Sequence, residues 1–242
     1  MEFLKVDCRL TRFYAFCLIF VILGSACVQR PNQSLNDQIE EEVFDGFSYA
    51  YLEPVKGVSG ERALYLLFHP TEISGDEYIR KWVPLIGAGP YVILAPTASA
   101  SAPYGSKAFQ AKLIWMIRNL EKRYGVHPEK RFLIGESSGA IFGYQFLAEH
   151  PDFFKAAVLI SGALKMEAWT KLLKAAPALR TKFLVIHGVD DSIFPLSMTE
   201  REVVALHKLG LSVTLKSVKH MAHDSNESVK KETVEWLNQQ WN

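Results

Sequence analysis

Cysteine is nearly absent from the body of this chain. Its three cysteines, Cys8, Cys17 and Cys27, all lie in or beside the leader, and the 215 positions that follow carry none. That excludes a disulfide framework and any thiolate metal site in the folded part. An excess of one charge sign is missing too. Lys and Arg number 27 against 26 Asp and Glu, for a net charge of +1. Such a balance gives no electrostatic footprint for nucleic acid or an acidic polymer. Internal repeats and low-complexity segments are also lacking. What remains is 242 residues, 49% hydrophobic and 22% charged, an ordinary globular composition suited to one domain with a real core.

The start of the chain differs from the rest. "MEFLKVDCRLTR" carries Lys5, Arg9 and Arg12, and "FYAFCLIFVILGSA" then runs without a charge from Phe13 to Ala26. A basic start, a short apolar run and small residues at its end describe a secretory signal over 1–26. The run is shorter than the roughly 20 residues that span a bilayer comfortably, which weighs against the alternative of an uncleaved anchor. Cys27, in "LGSAC", resembles the lipidated cysteine of bacterial lipoprotein signals. That pattern places Leu or a similar residue three before the cysteine, whereas here Gly24 stands there and Leu23 one further back. "GSA" also suits an ordinary signal peptidase cutting before Cys27. The polar stretch that includes "QRPNQSLNDQIEEE" reads as a tether over 27–45, with the folded domain over 46–242. The protein is expected to be exported to the bacterial cell envelope and held by lipid at Cys27, or else secreted.

Beyond residue 46, strand and helix patterns take turns. Strand-like runs occur at 47–54, 62–70, 91–96, "RFLIG" (131–135), 156–162, 182–188 and 211–218. Most are continuous apolar stretches, as strands buried on both faces are. Between them lie helical patterns. "DEYIRKWVPLIG" is expected to fray at Pro84. Residues 107–125 place Leu113, Met116, Ile117 and Leu120 on one face, with Gly125 as the stop. Helices are also read at "SGAIFGYQFLAEHP", "MEAWTKLLKAA", 198–210 with Thr199 as its cap, and the last sixteen or so residues. The fold class is α/β: a mostly parallel central sheet covered on both faces, with sites at the carboxyl ends of strands.

The chemistry-bearing stretch is "RFLIGESSGAIFGYQF". It holds G-x-S-x-G between a strand and a helix, the context in which Ser137 is a nucleophile on a sharp elbow. Ser138 lies off the pattern. A serine hydroxyl needs a base, and the base needs an orienting acid. In this architecture the chain order is Ser, then Asp or Glu, then His. "HGVDDSIFP" and "KHMAHDSNE" follow the next two suitable strands in that order.

These motifs together resemble the α/β-hydrolase superfamily, specifically the compact carboxylesterase, polyhydroxybutyrate-depolymerase and feruloyl-esterase kind, from about residue 47 to the end. "HGVDDSIFP" is similar to that family's acid loop, H-G-x-x-D-x-x-x-P, which implies Asp191 as the acid with Asp190 as its rival. "HMAH" stands where the family has its catalytic histidine, which favours His223 over His220. The resemblance implies an oxyanion hole after the third strand. The family has His-Gly there, but this chain has "FHPTEIS", with Pro70 in place of the glycine. Proline has no N–H to donate, so the expected donors are the backbone N–H groups of Ser138 and Thr71, with Glu72 a weaker substitute. The histidine loop also lacks the family's usual glycines.

His69 reads as a strand-end hydrogen bonder, and His127, His150 and His207 as incidental. Glu136, inside the elbow, either tunes the site or faces solvent. No histidine pair has metal-ligand spacing, and no cofactor is expected. No long insertion follows strand 156–162, so the cap is minimal and the pocket open. Met166, Trp169 and Leu173 either line one wall or pack on the sheet. The expected function is a serine hydrolase cleaving carboxylic esters, small or soluble and polymeric, without nucleic-acid partners and with no preference read for an oligomeric state. A peptidase or amidase on the same triad is the alternative within the class. A non-catalytic exported binding lipoprotein is the alternative outside it, and the altered oxyanion loop is its support.

Overall fold

A computed structural model describes residues 34–241. After a 3₁₀ turn at Leu35–Gln38 come β1 (Ile39–Phe44), β2 (Phe47–Leu52), β3 (Arg62–Phe68), α1 (Gly75–Ile86), β4 (Tyr91–Pro96), α2 (Lys107–Tyr124) and β5 (Val126–Glu136). Then follow α3 (Ser138–Glu149), β6 (Ala156–Ile160), α4 (Met166–Ala175), β7 (Lys182–Gly188), α5 (Leu196–Lys208), β8 (Val213–Val218) and α6 (Glu227–Gln239). The eight strands form one sheet in the order β1-β2-β4-β3-β5-β6-β7-β8. The pairs β1–β2 and β2–β4 are antiparallel, and all others are parallel.

The apolar strands divide their side chains between two cores with period two, as the pleat requires. Leu64, Leu66 and Phe68 of β3, with Leu133 of β5 and Leu159 of β6, face the helices α2 to α5. Ala63, Tyr65 and Leu67, with Phe132, Ile134, Val158 and Ile160, face α1 and α6. This double covering explains why the central strands read as unbroken apolar runs. Chain punctuation behaves as its chemistry dictates. Ser74 caps α1 in a box with Glu77, and Ser106 caps α2, accepting from Phe109 N–H at 3.1 Å. Gly125 ends α2 in the left-handed conformation, φ 66°.

Three expectations are corrected here. The tether does not extend to residue 45, because Ile39–Phe44 is a strand paired along its length with β2. The Glu40-Glu41-Glu42 run that suggested a solvated leader lies on the sheet's edge, where charged residues are common. The helix does not end at Pro84, which lies inside α1 three residues before Gly87 (φ 79°) closes it. Finally β5 starts at Val126 rather than 131, with a register shift between the Arg62 and Leu64 pairings.

Candidate active site

β5 ends at Glu136 and α3 begins at Ser138. Ser137 sits between them at φ 52°, ψ −115°, a backbone conformation that costs a non-glycine residue of the order of 1–3 kcal/mol. Its N–H donates to Ile160 O at 2.9 Å, and its carbonyl accepts the first helical bond from Ile141 at 3.0 Å. The flanking glycines have steric reasons. A Cβ on Gly135 would lie 2.8 Å from Gly139 O, and one on Gly139 would lie 2.0 Å from Phe68 O. Only hydrogen at both positions lets the elbow close and α3 press against the end of β3.

The loop after β7 and the loop after β8 are laced together. Val189 N–H donates to Val218 O at 2.9 Å and Asp190 N–H to Met221 O at 3.1 Å. His220 adopts φ 58°, supplying the left-handed turn for which the sequence offers no glycine, and Met221 is buried as the loop's anchor. This geometry brings His223 to the elbow. Its Nε2 lies 2.8 Å from Ser137 Oγ, and its Nδ1 lies 2.8 Å from Asp191 Oδ2. With Nδ1–H donating to the carboxylate, Nε2 is left to accept from the serine hydroxyl. The Phe194 ring meets the imidazole edge-on at 5.4 Å.

Asp191 is 5% exposed. Its Oδ1 accepts from the backbone N–H groups of Ile193 and Phe194, both at 2.9 Å. Burial pushes the carboxyl's pKa up, but the Phe194 N–H, His223 and the Ile193 N–H outweigh it and hold the group below its ordinary value. The rivals stand apart. Asp190 and His220 face each other across 3.7 Å with largely exposed side chains.

Sequence reading assigned no role to His187, which is fully buried beside Asp191. Its Nε2 lies 2.7 Å from Phe194 O and 3.3 Å from Asp191 Oδ2, so that nitrogen carries hydrogen and donates toward both. The Thr199 hydroxyl meets Nδ1 at 3.0 Å. Thr199 is therefore not a helix cap: α5 begins at Leu196 after Pro195, and Thr199 points inward from its first turn. The available signal was the "HG" opening the acid-loop motif, with a threonine twelve residues on.

On the other side of Ser137, His69 behaves as the expected strand-end hydrogen bonder. Its Nδ1–H donates to Pro70 O at 2.7 Å and its Nε2 accepts from Ala98 N–H at 2.9 Å. Burial, the larger influence, lowers its pKa against the opposing pull of Pro70 O, which suits a ring with one donor and one acceptor nitrogen. The His69 carbonyl accepts the Tyr104 hydroxyl at 3.3 Å and the Ser138 hydroxyl at 3.4 Å. In a trans peptide the C=O and the next N–H point in opposite directions. Fixing Pro70 O on the imidazole therefore also fixes where Thr71 N–H points. Thr71 itself is exposed on the turn, and Ser138 opens α3, whose first N–H groups have no helical acceptor.

Met166 on α4 is 75% and Ile193 in the loop after β7 60% exposed, while Trp169 packs on the core and Leu173 is exposed on α4. Only residues 161–165 separate β6 from α4. Glu136 is buried. His150 lies against Phe146 at a tilt, ring centroids 4.5 Å apart, and His207 donates to Val213 O at 2.6 Å. Among the described residues no group of three or more His, Cys, Asp or Glu could hold a metal ion. Cys27 and the 1–26 leader lie outside the described residues.

A mostly parallel eight-stranded sheet, helices on both faces and a serine elbow after β5 define an α/β-hydrolase fold. The chain belongs to the phospholipase/carboxylesterase family, whose profile matches residues 97–239, more than half its length. Membership places it among the ester hydrolases. Solved structures share the fold at low identity. A thermostable esterase superposes with TM-score 0.67 at 20% identity over 85% of this chain, which spans 64% of that longer one. The Staphylococcus aureus fluorophosphonate-binding serine hydrolase F gives 0.65 at 13% identity, covering 81% of this chain and 92% of that one. The Bacillus cereus carboxylesterase gives 0.60 at 14% identity, covering 80% and 94%. No curated protein sequence matches the chain.

Proposed function

We propose that the protein cleaves carboxylic esters through a covalent acyl-enzyme on Ser137. The observation that carries this reading is the unbroken relay from Ser137 Oγ to His223 Nε2 and from His223 Nδ1 to Asp191 Oδ2, 2.8 Å at each step. Ser137 attacks the ester carbonyl as His223 takes the hydroxyl proton, and Asp191 steadies the imidazolium that forms. The N–H groups of Ser138 and Thr71 receive the oxyanion, a contribution of about 3 kcal/mol per well-placed donor. His223 then protonates the departing alcohol. Water, deprotonated by the same imidazole, releases the acid.

The short segment between β6 and α4 and the exposed Met166 and Ile193 favour small or soluble polymeric esters over substrates that need an apolar lid. Esters are favoured over amides because Pro70 removes one backbone donor from the oxyanion loop. The leader would export the protein, and lipid at Cys27 would hold it at the cell envelope. Failing lipidation, it would be secreted.

The test is fluorophosphonate labelling of the purified full chain, with the adduct located by mass spectrometry. Label is expected on Ser137 and is lost in Ser137→Ala and His223→Ala. A folded protein that takes no label, or takes it elsewhere, overturns the reading. Matched ester and amide substrates are expected to differ in favour of the ester. Incorporation of a tagged fatty acid, abolished in Cys27→Ala, tests the anchor.

A further inference from the structure

Glu136 precedes Ser137 directly, yet its side chain leaves the site. It has the parity of Phe132 and Ile134, so it points to the sheet face covered by α1 and α6. There it is 8% exposed. A carboxyl group so enclosed needs partners. Three buried polar groups nearby complete no hydrogen bond of normal geometry: the Tyr78 hydroxyl and Trp82 Nε1 on α1, and Ser225 Oγ in the histidine loop. All three can donate, and the two hydroxyls can also accept. The Ser225 and Tyr78 hydroxyls both face Glu136, and the Trp82 N–H faces the Tyr78 oxygen. Lys230 of α6 and Lys81 of α1 add positive charge. Burial raises the carboxyl's pKa, and these donors and cations pull against it. The two hydroxyls can donate to the carboxyl or accept from it, so the cage can meet the group in either protonation state, and burial leaves its pKa above the ordinary value.

The position of Ser225 gives the cage a role in the reaction. It lies two residues after His223, in the loop that must deliver the imidazole to Ser137. Lys230 Nζ donates to Ser225 O at 2.8 Å and Asn226 caps α6, so the loop is held from its far side as well. Glu136 is thus covalently joined to the nucleophile and faces the segment carrying the base.

We propose that Glu136 is a positioning residue: through Ser225 it holds the histidine loop, and hence His223, in register with Ser137. The inference rests on the reading of Ser137 and His223 given above. Holding a base within hydrogen-bond reach matters because small misplacements of reacting groups cost large factors in rate. Apart from Ser137, the loop is hydrogen-bonded or ring-packed to the loop after β7, through Asp190 N–H on Met221 O, the Asp191 bond and the Phe194 ring, and to α6 through Lys230. None of these joins it to the strand that carries the nucleophile.

The experiment compares the full-length wild type with Glu136→Gln, Ser225→Ala and the double variant, using a short-chain chromogenic ester, the fluorophosphonate probe and thermal melting. Glutamine keeps the volume, removes the charge that Lys230 and Lys81 face and exchanges one carboxyl oxygen for an amide donor, so it changes what the Ser225 hydroxyl meets. Glu136→Gln is expected to lower kcat and the labelling rate about tenfold with KM within about twofold. Its Tm is expected to stay level or rise, since a buried charge is lost. Ser225→Ala should have a smaller effect, and the double variant should be no slower than Glu136→Gln alone. An unlabelled wild type overturns the hydrolase reading and this inference with it. With a labelled wild type, the inference alone is overturned by wild-type kcat in Glu136→Gln, by a loss of kcat that follows a fall in Tm, or by a double variant whose loss is the product of the two single losses.

Discussion

Asp191 receives hydrogen from four sides: two backbone N–H groups on Oδ1, and His223 and His187 on Oδ2. Removing His187 leaves the other three but frees one lone pair and strands the Thr199 hydroxyl. His187→Phe is therefore expected to lower kcat/KM about tenfold, the value of roughly one charge-assisted hydrogen bond, and steady-state kinetics on a soluble ester would check it. A loss below about twofold would show that the backbone donors alone orient the acid. His69 works at the opposite side. His69→Phe releases Pro70 O and with it the direction of Thr71 N–H, so kcat is expected to fall by about tenfold to a hundredfold while KM changes little. Unchanged kcat would remove Thr71 from the oxyanion hole. That Ser137, Asp191 and His223 meet was legible in the sequence, because the residues proposed as nucleophile, acid and base follow one another at strand ends in the order this architecture requires. The contacts of His187 and Thr199 were not, and for Glu136 the sequence left tuning the site and facing solvent both open. Each acts through a contact between elements far apart in the chain, and locally each looks ordinary: a strand end, a helix start, a turn.

The elements were legible wherever a strand is buried on both faces, since Leu64–Phe68, Phe132–Ile134 and Ala156–Ile160 are buried throughout and carry no charged side chain. The edge was not. β1 is "IEEEVF", and its placement depends on what its acidic residues meet. Glu42 accepts from the Tyr49 and Tyr51 hydroxyls and from Arg123 Nη1 at 3.0 Å, and Phe44 stacks on Trp115. No pattern within six residues encodes partners on β2 and α2. If this network holds the edge strand, Glu42→Ala should lower Tm by about 4–8 °C, as expected for roughly 2 kcal/mol in a domain of this size. A melt within about 1 °C of wild type would mean that β1 is held by its backbone pairing alone. The elbow makes the reverse case, where a small change is large. Gly139→Ala would put a methyl carbon 2.0 Å from Phe68 O, so either α3 or the end of β3 must move. Loss of fluorophosphonate labelling, with a Tm lower by more than about 5 °C, is the expected result.

Across the whole molecule, acidic groups with opposed shifts give stability a defined dependence on pH. Asp191 has its pKa lowered in the fold. Its contribution is present above the unfolded value and is lost as pH falls through the folded one. Glu202 on α5 behaves in the opposite way. Burial, the dominant cause, raises its pKa from 4.5 to about 7, against the N–H of Leu164, which donates to Oε1 at 3.1 Å, and the charges of Arg201 and Lys165. Its Oε2 is buried without a partner. Glu136 shifts upward as well. For a raised carboxyl the folded protein binds the extra proton, so its contribution is full below about 4.5 and is lost as pH rises through about 7 for Glu202. The raised carboxyls Glu202 and Glu136 make stability fall as pH rises toward and through neutrality, against the buried His69 and His150, whose lowered pKa values make it rise there. Thermal melts of the wild type and of Glu202→Gln between pH 4 and 9 isolate the Glu202 share of this balance. Glu202→Gln keeps an oxygen for Leu164 N–H and removes the ionisation, so its Tm should exceed the wild type's by about 2 °C or more at pH 8 and match it near pH 5. Parallel curves for the two proteins at every pH would mean that Glu202 ionises as freely in the fold as outside it.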